Sequence, residues 1–254
     1  VALIEVAATA AEAKALYDQA RREGWQEKFI ANFRRRTGLL LVGPSGTGKS
    51  NFLKALKTDF PEAIDLINRT VVVEKSRLKL GRYPFVVRDT PGDAAKTRER
   101  QRAYADHMRR NHRGVVNVVS YGYHEYPKAV PSAVVGGKVV PKFLKDHRAE
   151  ELRSLGEWGS YLDPKGERFI LTVVTKADIW WRNRARVLSH YESGPYAKTL
   201  TDLGWTTNHV VVPYSSVSHR FFNQVDVSGE FDDAVRAVLK SHVLGSMVSL
   251  AAAD

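Results

Sequence analysis

The sequence predicts an α/β fold: a mostly parallel six-stranded sheet flanked by helices, with one antiparallel edge strand and an insertion between the fourth and fifth strands. Three observations predict it. Short apolar runs alternate with helix-permissive stretches, as in a parallel sheet covered on both faces. A glycine-rich loop separates the first apolar run, Gly38-Leu39-Leu40-Leu41-Val42, from the first helical stretch, Asn51 to Thr58. The second and third apolar runs are close enough in sequence to pair as an antiparallel hairpin at the sheet edge.

The elements follow in order. Residues 8 to 35 are alanine-rich, with Leu16, Tyr17, Ala20, Phe29 and Phe33 near one face. They read as a helical extension over residues 1–36, with Gly24 as a break, and serve as a packing helix or a link to a neighbouring domain. Strand 38–42 leads through the loop to a helix over 49–58. Val71-Val72-Val73 opens a second strand that runs toward Leu80, and Tyr83 to Arg88 forms a third, ending at Asp89. A charged helix covers Ala94 to His112. Val115 to Ser120, Phe169 to Val174 and His209 to Val212 are the remaining strands. A helix of about Glu230 to Met247, with Phe231, Ala234, Val235 and Val238 at helical spacing, closes a domain that spans 37–250.

The insertion covers about residues 121–163. Within it, Gly136-Gly137 suits the two-residue turn of a small hairpin from Ala133 to Val140, and Asp146 to Tyr161 reads as a helix. Tyr121, Tyr123, His124 and Tyr126 crowd its entrance, either to meet a partner or a nucleic-acid base, or as local packing. Trp180 and Trp181 stand side by side further on. Two neighbours cannot both point inward on one helix face, so the pair reads either as facing an effector or, more in keeping with their size, with at least one packed in the core.

Composition narrows the function classes. A chain of 254 residues buries a core without a metal or disulfide staple, and the absence of cysteine removes disulfides, thiolate zinc sites and cysteine catalysis. No apolar run approaches the roughly 20 residues needed to span a bilayer. Val1 to Val6 is apolar but lacks the basic flank of a secretory signal, and the chain begins without methionine, as a piece of a longer protein would. The net charge of +11 is spread over separate clusters: Arg34-Arg35-Arg36, Arg109-Arg110 with Arg113, and Arg182, Arg184 and Arg186. Such clusters fit solvated helix faces and the demands of a phosphate ligand better than a dedicated nucleic-acid surface. Nucleic acid or an acidic membrane surface is compatible with the charge, but no motif supports either.

The chemistry is carried by Gly43-Pro44-Ser45-Gly46-Thr47-Gly48-Lys49-Ser50, which has the spacing of a P-loop between a strand and a helix. This makes the fold that of a P-loop NTPase. Successive backbone N–H groups surround phosphate oxygens, and the helix start adds positive potential. Lys49 reaches the β- and γ-phosphates; Ser50 offers its hydroxyl to Mg²⁺, and Asn51 follows at the start of the helix.

Three later segments address the base. Arg88-Asp89-Thr90-Pro91-Gly92 follows a strand, so Asp89 can hold Mg²⁺ through water and the N–H of Gly92 can meet a γ-phosphate. Thr175-Lys176-Ala177-Asp178 follows another strand. Guanine presents two adjacent donors that the one carboxylate of Asp178 accepts; adenine presents no such pair. The Lys176 stem can lie over the purine. Ser215-Ser216-Val217 follows the last strand and offers backbone to the base carbonyl.

With these residues the chain resembles the G domain of Ras-like and translation-factor-class (TRAFAC) P-loop GTPases, over about residues 37 to 247 apart from the insertion. Gly43 to Ser50 is similar to the first motif, Asp89 to Gly92 to the third, Thr175 to Asp178 to the fourth and Ser215 to Val217, weakly, to the fifth. Thr70 looks like the switch-one threonine. The resemblance implies binding of GTP and GDP with Mg²⁺ held by Ser50, Thr70 and Asp89, slow GTP hydrolysis assisted by Lys49, Thr70, Gly92 and Arg69 as a charge-stabilising arginine in cis, and a switch formed by about residues 68–73 and 89–96.

It also implies a protein effector or neighbouring domain, a homodimer that completes the site, and the cytoplasm, where GTP is. Four departures stand out. Thr175 replaces asparagine, the fifth motif lacks its alanine-lysine ending, and Ser45 replaces a small glycine that leaves room for an external arginine. Asp93 stands where Ras-like proteins carry a water-positioning glutamine. A hydrolysis-poor guanine-nucleotide scaffold, and an ATPase acting on nucleic acid, are the competing readings.

Overall fold

The computed structural model describes residues 37–57, 74–80, 83–110, 113–125, 133–205, 208–215 and 231–252. The expected extension over 1–36, the strand opening at Val71 to Val73, Tyr126 and the cluster at Arg34 to Arg36 lie outside these residues.

Strand β1 (Thr37–Val42) runs into the glycine-rich loop and helix α1 (Lys49–Lys57). Strands β2 (Glu74–Leu80) and β3 (Tyr83–Asp89) form the expected antiparallel pair, with Glu74 opposite Asp89 and Leu80 opposite Tyr83. A 3₁₀ turn (Ala94–Lys96) and helix α2 (Thr97–Met108) come next. They replace the single helix expected from Ala94 to His112. The Asp93 side chain accepts from Ala95 N and caps the 3₁₀ turn, so α2 begins separately.

Strand β4 (Arg113–Val119) leads to the hairpin β5 (Val134–Val135) and β6 (Lys138–Val139), and then to helix α3 (Pro141–Tyr161). Gly136 and Gly137 both have positive φ, as a tight hairpin turn requires. Helix α3 starts earlier than the expected Asp146, because Pro141 has its φ pre-set for a first helical position. Strand β7 (Phe169–Val174) is followed by three short helices that the sequence pattern did not reveal: α4 (Ala177–Trp180), α5 (Arg184–Glu192) and α6 (Pro195–Asp202). Strand β8 (Asn208–Pro213) and helix α7 (Asp233–Ala252) complete the described chain.

The main sheet has six strands in the order β2-β3-β1-β4-β7-β8. All neighbours are parallel except β2 and β3. Parallel neighbours need a crossover, and α3 supplies it between β4 and β7. The segment read as an insertion therefore combines a crossover helix with the small β5–β6 hairpin. β1 lies in the middle, with β3 on one side and β4 on the other. This is the switch point where ligands sit at the carboxyl ends of an open α/β sheet.

Strand side chains alternate between two cores. Leu40, Val42, Val115, Val119, Ile170 and Val174 face a core with Trp158, Tyr191 and Tyr196; Leu39, Leu41, Val116, Val118, Leu171 and Val173 face a second with Phe52, Tyr214 and Met247. Both Trp180 and Trp181 are buried in the first core, so the expected core packing extends to the pair and neither faces outward to an effector. The chain passes from α4 into a 3₁₀ turn (Trp181–Asn183) between them. That change of helical register lets neighbouring rings turn inward together. Arg113 is also buried, its Nε 2.9 Å from Glu167 Oε1, so that part of the basic pattern is internal pairing and not a docking surface.

Candidate nucleotide-binding site

The phosphate loop is shaped by its glycines. Gly43 has φ +128° and Gly46 φ +77°, both outside the region open to side chains. A Cβ on Gly43 would lie 2.1 Å from Val118 O, and one on Gly46 would lie 2.9 Å from Glu125 N. Thr47 donates its hydroxyl to Pro44 O at 3.0 Å, and Phe52 N donates to Gly48 O at 2.8 Å as α1 begins. Lys49 bends back over the loop and donates to Gly43 O at 2.7 Å and Pro44 O at 2.9 Å. Burial lowers its pKa to about 8, partly opposed by the charge of Asp89. A bound polyanion would favour the ammonium form and raise the pKa again.

Ser50 opens α1 and donates to Asp89 Oδ2 across 3.4 Å, with Asp89 at the carboxyl end of β3. Two hard oxygens side by side at a phosphate loop fit Mg²⁺, which keeps water and phosphate in its remaining positions. Thr90 N and Thr90 Oγ1 both donate to Leu41 O, at 3.1 and 2.8 Å, and so fix the third motif to β1. Gly92 O accepts from Ser45 N at 3.1 Å. A Cβ on Gly92 would come within 2.5 Å of Lys49 Nζ, so only glycine lets this segment rest on the phosphate loop. The Asp93 carboxylate, awkward beside phosphate, is exposed and engaged in its cap.

The base-side residues meet at the ends of β7 and β8. Thr175 Oγ1 lies 2.6 Å from Thr47 O and 2.9 Å from Val119 O, sharing its one proton between two carbonyls. The threonine in place of asparagine thus joins the fourth motif to the phosphate loop and to β4. Lys176 adopts φ +60°, a conformation rare for a side-chain-bearing residue. Its Nζ donates to Gly46 O at 2.8 Å and to Tyr123 O, and lies 3.6 Å from Glu125 Oε2. Burial lowers its pKa, with Glu125 and Asp178 acting the other way.

Asp178 is buried and accepts from Ser215 Oγ at 2.7 Å. The expected role of Ser215 was backbone contact; its hydroxyl in addition holds the Asp178 carboxylate. The structure therefore gathers Gly43, Ser45, Gly46, Thr47, Gly48, Lys49, Ser50, Asp89 and Gly92 with Thr175, Lys176, Asp178 and Ser215 along one edge of the sheet. Asn51 is half-buried in α1. Arg69, Thr70, Ser216 and Val217 lie outside the described residues.

Sequence reasoning missed two contributors. Glu125 N donates to Gly46 O at 3.0 Å, so the chain after β4 forms a wall of the phosphate loop. Arg100 on α2 forms a two-pronged pair with Glu157 on α3, at 2.7 and 2.9 Å, and also donates to Asp93 O. It anchors the segment after the third motif. Only the buried face of α2 could have flagged it, because charged residues on a helix ordinarily read as solvated.

Residues 39–151 match the family model described as 50S ribosome-binding GTPase. Among solved structures, the chain is similar to the Arl6 BBS3 small GTPase from Trypanosoma brucei with bound nucleotide analogue GppNp. Identity is 15%, the match covers 85% of this chain and 98% of that one, and the TM-score is 0.41. No curated protein matches the chain. The family match spans the phosphate loop and the Asp89–Gly92 segment, and over those residues the chain is similar to a P-loop GTPase domain.

Proposed function

We propose that this chain binds GTP and GDP with Mg²⁺, hydrolyses GTP slowly and acts as a nucleotide-dependent switch. The observation that carries the reading is the bridge made by Lys176 and Thr175 between the guanine-selecting Asp178 and the phosphate loop. Base and phosphate recognition are thereby parts of one rigid unit.

Ser50 and Asp89 would hold Mg²⁺, with Thr70 as the third oxygen donor. When bound, the ion neutralises charge on the phosphates. Lys49 and the loop amides share that task, and Gly92 N–H meets the γ-phosphate. Water attacks the γ-phosphorus in line; its O–P bond forms as the bond to the β-phosphate oxygen breaks, yielding GDP, phosphate and a proton. Residues 68–73 and 89–96 would be held only while the γ-phosphate is present. Arg69 would stabilise transition-state charge in cis. An effector or neighbouring domain reads the switch, and a partner or second copy across the nucleotide completes catalysis. Access to GTP implies the cytoplasm, and no described helix is long and apolar enough to cross a membrane.

The test has two parts. Calorimetric titration should show GTP and GDP binding and ATP failing at the same concentration; equal heats for GTP and ATP would defeat the guanine reading. Phosphate release from stoichiometric, nucleotide-exchanged protein should exceed that of Lys49→Ala. One observation favours a second reading, the hydrolysis-poor scaffold: the side chain at the water-positioning place, Asp93, is occupied as a cap. Tight GTP binding with no release above the Lys49→Ala background would select it.

A further inference from the structure

Three side chains outside the nucleotide machinery converge between the segment after β4 and the middle of α3. His124 is fully buried, and its Nδ1 lies 3.4 Å from Glu150 Oε2. The rings of His124 and His147 are 4.8 Å apart between centroids. One ligating atom from each of His124, His147 and Glu150 falls within 4.8 Å of the other two. His147 and Glu150 are three residues apart on α3 and so share one helix face, with His124 opposite them.

The groups behind these residues are arranged as a metal site requires. His124 Nε2 meets Glu151 Oε1 at 3.1 Å. Glu151 also accepts from Ser120 N at 2.9 Å, Gly122 N at 3.1 Å and Tyr191 OH at 2.7 Å. His147 Nδ1 lies 2.8 Å from Phe143 O. A carboxylate on one imidazole and a backbone carbonyl on the other are the partners that fix the tautomer of metal-binding histidines and aim the second ring nitrogen at the ion.

We propose that His124, His147 and Glu150 bind a divalent transition-metal cation of the Zn²⁺ class, with water in the fourth position. Two imidazoles and one carboxylate are a set suited to Zn²⁺ and poorly suited to Mg²⁺. Closing the atoms from 4.8 Å to the roughly 3.3 Å separation of a tetrahedral site takes small rotations. His147 and Glu150 are only half-buried and can make them. The site adjoins Glu125, whose N–H meets Gly46 O, so an ion there would stiffen the wall of the phosphate loop.

The test uses the full chain, stripped with chelator and held in excess Mg²⁺ to mask Ser50 and Asp89. Zn²⁺ titration should show one saturable site of micromolar or tighter affinity, and Co²⁺ should give the visible band of a low-coordinate ion. His147→Ala and Glu150→Gln should each weaken Zn²⁺ by about tenfold or more and remove the Co²⁺ band, with unchanged circular dichroism. Absence of saturable uptake, or equal affinity in His147→Ala, would overturn the proposal and leave His124 as a buried ring bonded to Glu150 and Glu151.

Discussion

On the phosphate side of the site, residues 43 to 50 are shaped through backbone: glycines with positive φ and one lysine folded back onto carbonyls. On the base side, residues 175 to 215 build it from side chains, with Thr175, Lys176 and Ser215 each aimed at a distant partner. The difference has a physical origin. Phosphate is a symmetric charge that any array of N–H groups can cradle, whereas a purine must be told apart by the direction of its donors. Backbone built from a local sequence suffices for the first task. The second needs a carboxylate held in one orientation by residues from another strand.

The change that should break this contrast most sharply is Asp178→Asn. Guanine affinity should fall by about a thousandfold and xanthine should be preferred, because the amide offers a donor where the carboxylate offered an acceptor. Competition between GTP and XTP for the protein checks this; unchanged guanine preference would mean that Asp178 does not read the base. Lys49→Ala addresses the other side and should weaken GTP and GDP by about a hundredfold without altering base preference.

Thr175→Val tests the link between the two sides. It removes the hydroxyl donated to Thr47 O, while Val119 O keeps the backbone N–H of residue 175 at 2.8 Å, which should cost about 1 kcal/mol of stability by urea titration. A cost near zero would show that the two sides are independent.

The smallest predicted effect concerns pH. Lys49 lies near 8 in the free protein, and a bound polyanion raises it, so binding takes up a proton above pH 8. Nucleotide affinity should hold below pH 8 and fall about tenfold between pH 7 and 9, and Lys49→Arg should flatten the decline. The sign is opposite for the stability of the free chain. Between 8 and the ordinary 10.5 the unfolded state binds more protons at this lysine, so its contribution rises with pH.

Much of the fold was legible because it is periodic and local. The β7 strand was read at its observed ends, and the hairpin at Gly136-Gly137 followed from a turn that demands positive φ. The three helices between residues 177 and 202 were not legible, since α4 is a single buried turn and α5 and α6 are only nine and eight residues long, too short for a pattern to stand out. In the site, the motifs announced their residues, but the Ser215 hydroxyl was assigned no contact. Its partner Asp178 stands 37 positions away, and nothing in the spacing encodes that pairing.

What the amino-acid order determined alone is the set of pieces with short-range causes: apolar strands of period two, a glycine loop before a helix, and acids and hydroxyls at strand ends. What the tertiary structure decided is which of these meet. The Thr175 hydroxyl reaches Thr47 O across 128 positions, both tryptophans turn inward at a change of helix type, and His124 comes to face His147 and Glu150. Such contacts depend on how sheet and crossover helix pack, because only the closed core brings groups distant in the chain within bonding range.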